Sequence, residues 1–140
     1  MSANSEKILK VLLWWQAIFH TGLGLFGIFA KGSTVFVAGK VFNFNLELTP
    51  QMSWVIDPFA AYLLGFGGFM AVAALDPSRH KSVIYVGAGL LAIRVLQRVI
   101  FVFTAPDDLV ADGSRVSSVL TIVVVSVIVS ALIVLTRKLK

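Results

Sequence analysis

The chain has 140 residues, 58% of them hydrophobic, and a mean hydropathy of +0.92. Ordinary soluble domains are roughly 45–50% apolar, so this composition excludes a single water-soluble core and points to an integral membrane protein of one domain, residues 1–140. The absence of cysteine excludes disulfides, thiolate metal sites, iron–sulfur clusters and cysteine nucleophiles within the chain, and the net charge of +5 sits at the ends of apolar runs, which favours insertion topology over nucleic acid as its explanation.

Four apolar runs follow one another. The first extends from about Ile8 to Ala30, after Lys7 and Lys10. It exceeds the roughly 7–15 apolar residues of a secretory signal and has no small-residue cleavage site, so it reads as a retained helix. The second covers Trp54 to Leu75, with Pro58 expected in its first turn, where proline is tolerated. The third covers Ser82 to Phe103 and the fourth Val116 to Leu135, and each run has about the ~20 residues that cross a bilayer. Trp14 and Trp15 near one end and Trp54 near the other suit aromatic interface belts.

The connections differ in kind. Between Leu75 and Ser82 the segment Asp76-Pro77-Ser78 predicts a tight turn joining neighbouring helices. From Lys31 to Ser53 the chain alternates apolar and polar residues from Phe42 onward, with Gly39-Lys40 as a turn candidate. That pattern predicts a short β-hairpin or an extended outer loop. The segment from Ala105 to Arg115 is acidic and turn-rich, with Ser114 placed to cap the fourth helix. The fold predicted is all-α, an antiparallel four-helix membrane bundle with that outer loop between its first two helices.

Charge sets the expected orientation. Lys7 and Lys10, Arg79 and Lys81, and Arg137, Lys138 and Lys140 fall on one side of the bundle, seven of the twelve basic residues. Glu47, Asp57, Asp107, Asp108 and Asp112 fall on the other, against Lys31, Lys40 and Arg115. The positive-inside rule then places both termini in the cytoplasm.

Polar residues inside the runs are the candidate site. Arg94 and Arg98 lie one turn apart on one face of the third run. Each guanidinium in hydrocarbon costs at least ~2.5–3.5 kcal/mol on insertion scales, so a partner, a ligand or water must answer it. His20 lies about 18 Å into the first run and Arg94 about as far into the third, at ~1.5 Å per residue. With Gln16, Gln97 and Asp57 they form a candidate pocket of Gln16, His20, Asp57, Arg94, Gln97 and Arg98. Such a pocket suits a lipid headgroup, a quinone or a carboxylate, because arginine's planar fork matches paired oxygens. The structural alternative pairs Arg98 with Asp57 or Glu47, and Arg94 with Gln16 or backbone carbonyls. His20 is a candidate ligand for a haem iron or a pigment magnesium. A bis-histidine haem is not expected, since His80 lies in the turn beside Arg79 and Lys81.

Glycines and alanines supply packing signals: Gly22, Gly24 and Gly27, then Gly65, Gly67 and Gly68, then Gly87 and Gly89, with Ala61-x-x-x-Gly65 and Ala88-x-x-x-Ala92 as small-residue pairs. No nucleophile–base pair, phosphate loop or metal-ligand spacing appears, so no hydrolase chemistry and no intrinsic cofactor is expected. Gly22-Leu-Gly-Leu-Phe-Gly27, the Gly67-Gly68 stretch running to Arg79-His80, and Ala92-Ile-Arg-Val-Leu-Gln-Arg98 together resemble the DoxX-like group of small four-helix membrane proteins, over roughly residues 12 to 105. The chain departs from that group in lacking an acidic–glycine step directly after the third helix; Asp112-Gly113 lies downstream. The resemblance implies an inner-membrane protein of the kind sometimes associated with quinone-linked respiratory complexes.

Together these features lead to an expected non-catalytic accessory subunit of a larger energy-transducing membrane complex, respiratory or photosynthetic. It would pack against core helices among membrane lipids and hold lipid, pigment or quinone. The alternative is a stand-alone quinone- or anion-binding redox protein, or a small transporter, using Arg94 and Arg98.

Overall fold

The structure, a computed structural model, describes residues 3–42, 47–104 and 114–139. Five helices follow in order: α1 (Ala3–Phe29), α2 (Lys31–Phe42), α3 (Pro50–Leu75), α4 (Lys81–Thr104) and α5 (Ser114–Arg137). Four of them, all but α2, are long and apolar enough to cross a membrane, which marks the chain as a membrane protein. Among the described residues there is no strand.

The segment expected to be a hairpin or extended loop is therefore corrected over Lys31–Phe42, which is helical and contains Gly39 and Lys40. The cause is local. The Ala30 amide donates to the Phe26 carbonyl and the Thr34 amide to the Ala30 carbonyl, carrying the helical ladder across the junction with α1. The Thr34 hydroxyl adds bonds of 3.0 Å to both the Phe26 and Ala30 carbonyls. Next to a membrane a helix satisfies its backbone internally, whereas a lone hairpin leaves open edges. The alternating residues Asn43 to Leu46 lie outside the described residues, as do Asp107, Asp108 and Asp112 of the acidic loop.

α3 begins one turn earlier than expected. Thr49 caps it in an extended conformation, its hydroxyl accepting from the Met52 amide at 3.1 Å, and Pro50 opens the first turn. Pro58 consequently sits inside the helix rather than in its first turn, so the Trp54 carbonyl has no i+4 amide to accept.

α1 and α3 make the most extensive contact, followed by α4 with α5. The buried face of α3 runs Ile56, Ala60, Leu63, Gly67, Met70 and Ala74, a helical three–four spacing. Leu9, Leu13 and Ala17 of α1 join Phe66, Met70 and Ala73 of α3, Ile84 and Leu91 of α4 and Leu132 of α5 in one core cluster. The Lys81 ammonium donates to the Leu139 carbonyl at 2.9 Å, tying the start of α4 to the chain beyond α5. That bond brings the second and third basic segments together.

Glycines decide how close the helices come. A Cβ on Gly24 would lie 2.9 Å from the Ala60 carbonyl, and one on Gly27 would lie 2.9 Å from the Ala60 Cβ. On Gly67 it would meet the Thr21 amide nitrogen at 2.8 Å. The Ala61/Gly65 small-residue pair faces outward: Ala61 is exposed and nothing lies within 4 Å of a Cβ on Gly65. The α3 seam is carried instead by Ala60 and Gly67.

Candidate functional site

Gln16 and His20 occupy the inward face of α1, each 3% exposed. Their four-residue spacing brings the His20 ring under the Gln16 carbonyl, and Nδ1 lies 2.9 Å from that oxygen. A carbonyl only accepts, so Nδ1 carries the proton. The other ring nitrogen, Nε2, lies 3.4 Å from an Arg94 guanidinium nitrogen. A guanidinium only donates, so Nε2 holds a lone pair. Hydrogen-bond logic thus assigns His20 as a neutral imidazole, donating to its own helix and accepting from α4.

Aromatic rings wall in the imidazole. The Phe66 ring centroid is 4.5 Å away, and Phe19 presents its edge at 5.3 Å. Trp15 stacks on Phe19 at 6.0 Å and Tyr62 lies 6.3 Å from Phe66. Both ring nitrogens of His20 are engaged, so ligation of a haem iron or pigment magnesium at Nε2 requires Arg94 to withdraw. His80 belongs to the turn after α3, where its amide donates to the Asp76 carbonyl at 3.2 Å.

Of the six candidate residues, Gln16, His20 and Arg94 form one connected set, with Gln16 contributing its backbone carbonyl. Arg98 lines, with Arg94, a narrow crevice closed by Val95, Thr121, Ile122 and Val125 between α4 and α5. Gln97 is exposed. Asp57 does not join the set: its carboxylate pairs with the Lys31 ammonium at 2.6 Å, and that ammonium also bonds the Ser53 hydroxyl at 3.2 Å. Lys31–Asp57 and Lys10–Glu6 are ion pairs, and among the described residues Arg94 has no carboxylate partner. No group of three or more His, Asp or Glu able to hold a metal occurs among the described residues.

A second feature adjoins the set. An apolar groove runs between α3 and α4, walled chiefly by Phe66, Phe69 and Met70 on one side and Val83, Val86 and Leu90 on the other. Leu90 lies one turn before Arg94, and Phe66 both walls the groove and packs on His20. The sequence pattern does not single out Tyr62 and Phe66. Their four-residue spacing is the available signal, since a tight Asp76–His80 turn sets Phe66 opposite Leu90 and Tyr62 opposite Arg94.

Compared with known families, curated proteins and solved structures, the chain matches none.

Proposed function

We propose that this chain is a non-catalytic, multi-pass membrane subunit that packs against the helices of a larger complex, holding an amphiphile at the contact. The observation that carries this reading is the division of the glycines. The space beside Gly24, Gly27, Gly67 and Gly87 is filled by neighbouring helices, whereas a Cβ on Gly22, Gly65, Gly68 or Gly89 would meet nothing within 4 Å. Lipid gains nothing from glycine, while another helix approaches closely over it. Gly65 and Gly68 lie with exposed Ala61 on one outer face of α3. The positive-inside rule sets the basic segments of an antiparallel bundle in the cytoplasm, and the resemblance to DoxX-like proteins implies a bacterial-type inner membrane. That resemblance, read in the sequence, also implies an energy-transducing complex as the partner class we propose.

The experiment is mild-detergent extraction from native membranes, with mass spectrometry and an absorption spectrum of the purified fraction. A stoichiometric membrane partner, lost when Gly65 and Gly68 are both changed to Leu, is the expected result. A lone protein whose migration is unchanged by that double substitution overturns the subunit reading. A second reading, a stand-alone amphiphile-binding protein, is favoured by Arg94, a half-buried guanidinium whose partner is a neutral imidazole.

A further inference from the structure

We infer that the α3–α4 groove binds the acyl chain of a long-chain fatty acid whose carboxylate is held by Arg94. This deepens the reading that Arg94 holds an amphiphile, and it is independent of any protein partner. Three observations converge on that ligand class.

The first is charge. One Arg94 donor is directed at His20 Nε2, and since the imidazole is neutral, the positive charge stays uncompensated among the described residues. A guanidinium has five N–H donors in a planar fork, and a carboxylate takes two of them side by side while cancelling the charge. A neutral head such as a quinone carbonyl accepts a hydrogen bond but leaves the charge in place. The second observation is shape and chemistry. The groove is walled by Phe66, Phe69, Met70, Val83, Val86 and Leu90, with Ser82 as the polar side chain of its lining, a predominantly apolar wall that suits an unbranched hydrocarbon tail. The third is continuity. Leu90 leads by one turn to Arg94, and Phe66 touches the imidazole that orients the guanidinium. From Ser82 to Leu90 the groove wall extends about 12 Å along α4, at ~1.5 Å per residue. Arg94, which lines the neighbouring α4–α5 crevice, lies one turn beyond its end, so that groove and turn together approach the reach of an ordinary membrane acyl chain. The carboxylate then enters from the side of the membrane nearer Arg98, and the tail runs towards Ser82.

The test uses the full chain in phosphatidylcholine nanodiscs, titrated with palmitate carrying ¹³C at its carboxyl and followed by ¹³C NMR. The expected result is a second, saturable carboxyl resonance distinct from that of lipid-dissolved palmitate. Arg94→Gln should abolish it. Val86→Trp, at a groove position 63% exposed and remote from the core, should weaken binding at least tenfold with Arg94 intact. Hexadecanol, with the same tail and no charge, should not displace the acid. Should Arg94→Gln fail to fold, Val86→Trp carries the test alone. Absence of a saturable resonance in the unaltered protein overturns the inference, as does binding unaffected by Val86→Trp. Displacement by decylubiquinone at concentrations below those of palmitate itself overturns the carboxylate assignment. A protein that retains a membrane partner yet binds no palmitate defeats this inference alone and leaves the subunit reading standing.

Discussion

α3 shows two kinds of helix contact on neighbouring faces. Towards α1 it is closed: Ala60 and Gly67 sit against Gly24, Gly27 and Thr21, with backbone atoms of one helix against the other. Towards α4 it is open, and the space between Phe66, Met70, Val83 and Leu90 is a groove. In a membrane no hydrophobic force drives helices together, because lipid tails are as apolar as leucine, so association depends on close packing. The α1–α3 seam has that closeness. The α3–α4 contact gives it up, and the connected set of Gln16, His20 and Arg94 lies at the end of the space that results.

The same substitution at two glycines separates these regimes. Gly67→Ala places a methyl against the Thr21 amide nitrogen at 2.8 Å and the Ala17 carbonyl at 3.0 Å. Backbone cannot step aside, so the whole seam must widen. Overpacking of this kind costs about 1–3 kcal/mol, and thermal unfolding in mild detergent should show a lowered midpoint. Gly87→Ala instead meets the thioether methyl of Met70, the far end of a flexible side chain. Methionine repacks readily, so its cost should stay below about 1 kcal/mol. Equal losses at both positions would break the distinction between seam and groove.

Much of the fold is legible in the sequence because a membrane helix has to satisfy its own backbone over about 20 apolar residues. The four long runs are all helices, and two of the three basic segments meet through Lys81 and Leu139. Thr49-Pro50, a cap followed by a first-turn proline, is equally readable and marks the true start of α3. Lys31–Phe42 misleads because Gly39-Lys40 before the alternating residues from Phe42 onward reads as a hairpin turn, while bonds back to Phe26 and Ala30 decide for helix. The site is only partly legible. Depth counting along two helices matches His20 to Arg94, but depth carries no information about rotation around each axis. Asp57 therefore goes to Lys31, at the start of a helix that the pattern does not reveal. On α5 the buried Ser118 and Thr136 hydroxyls have no hydrogen-bond partner among the described residues, and no sequence feature distinguishes them from the serines around them.

The Lys31–Asp57 pair sharpens the comparison from outside the core, since it ties the start of α2 to α3 where the seam ends. The Asp57 side chain is 55% exposed and that of Lys31 26%. Water and salt screen such a pair, which places its coupling at about 0–1 kcal/mol. A double-mutant cycle with Lys31→Met and Asp57→Asn, read by the unfolding midpoint at low and high salt, should give a small coupling that shrinks further with salt. A coupling above that range, unaffected by salt, would mean that the α2 junction is as rigid as the seam.

The smallest effect belongs to the turn that sets α3 against α4. The Asp76 carboxylate accepts from the Ser78 hydroxyl at 2.7 Å and the Arg79 amide at 3.1 Å, and these bonds hold its pKa below the ordinary carboxylate value. A depressed folded-state pKa means that the unfolded chain takes up the proton first. The contribution to stability is therefore complete above the unfolded value of about 3.9 and is lost as pH falls through the lower folded value. Asp76 is fully exposed, so the change should be slight and confined to acid. Unfolding midpoints measured downward from neutral pH should fall a little more steeply for the unaltered protein than for Asp76→Asn, which keeps an acceptor oxygen but cannot titrate. If the two curves coincide through the acid range, the turn does not draw on the charge of Asp76, and the geometry of the groove rests on Pro77 and the backbone bonds of the turn alone.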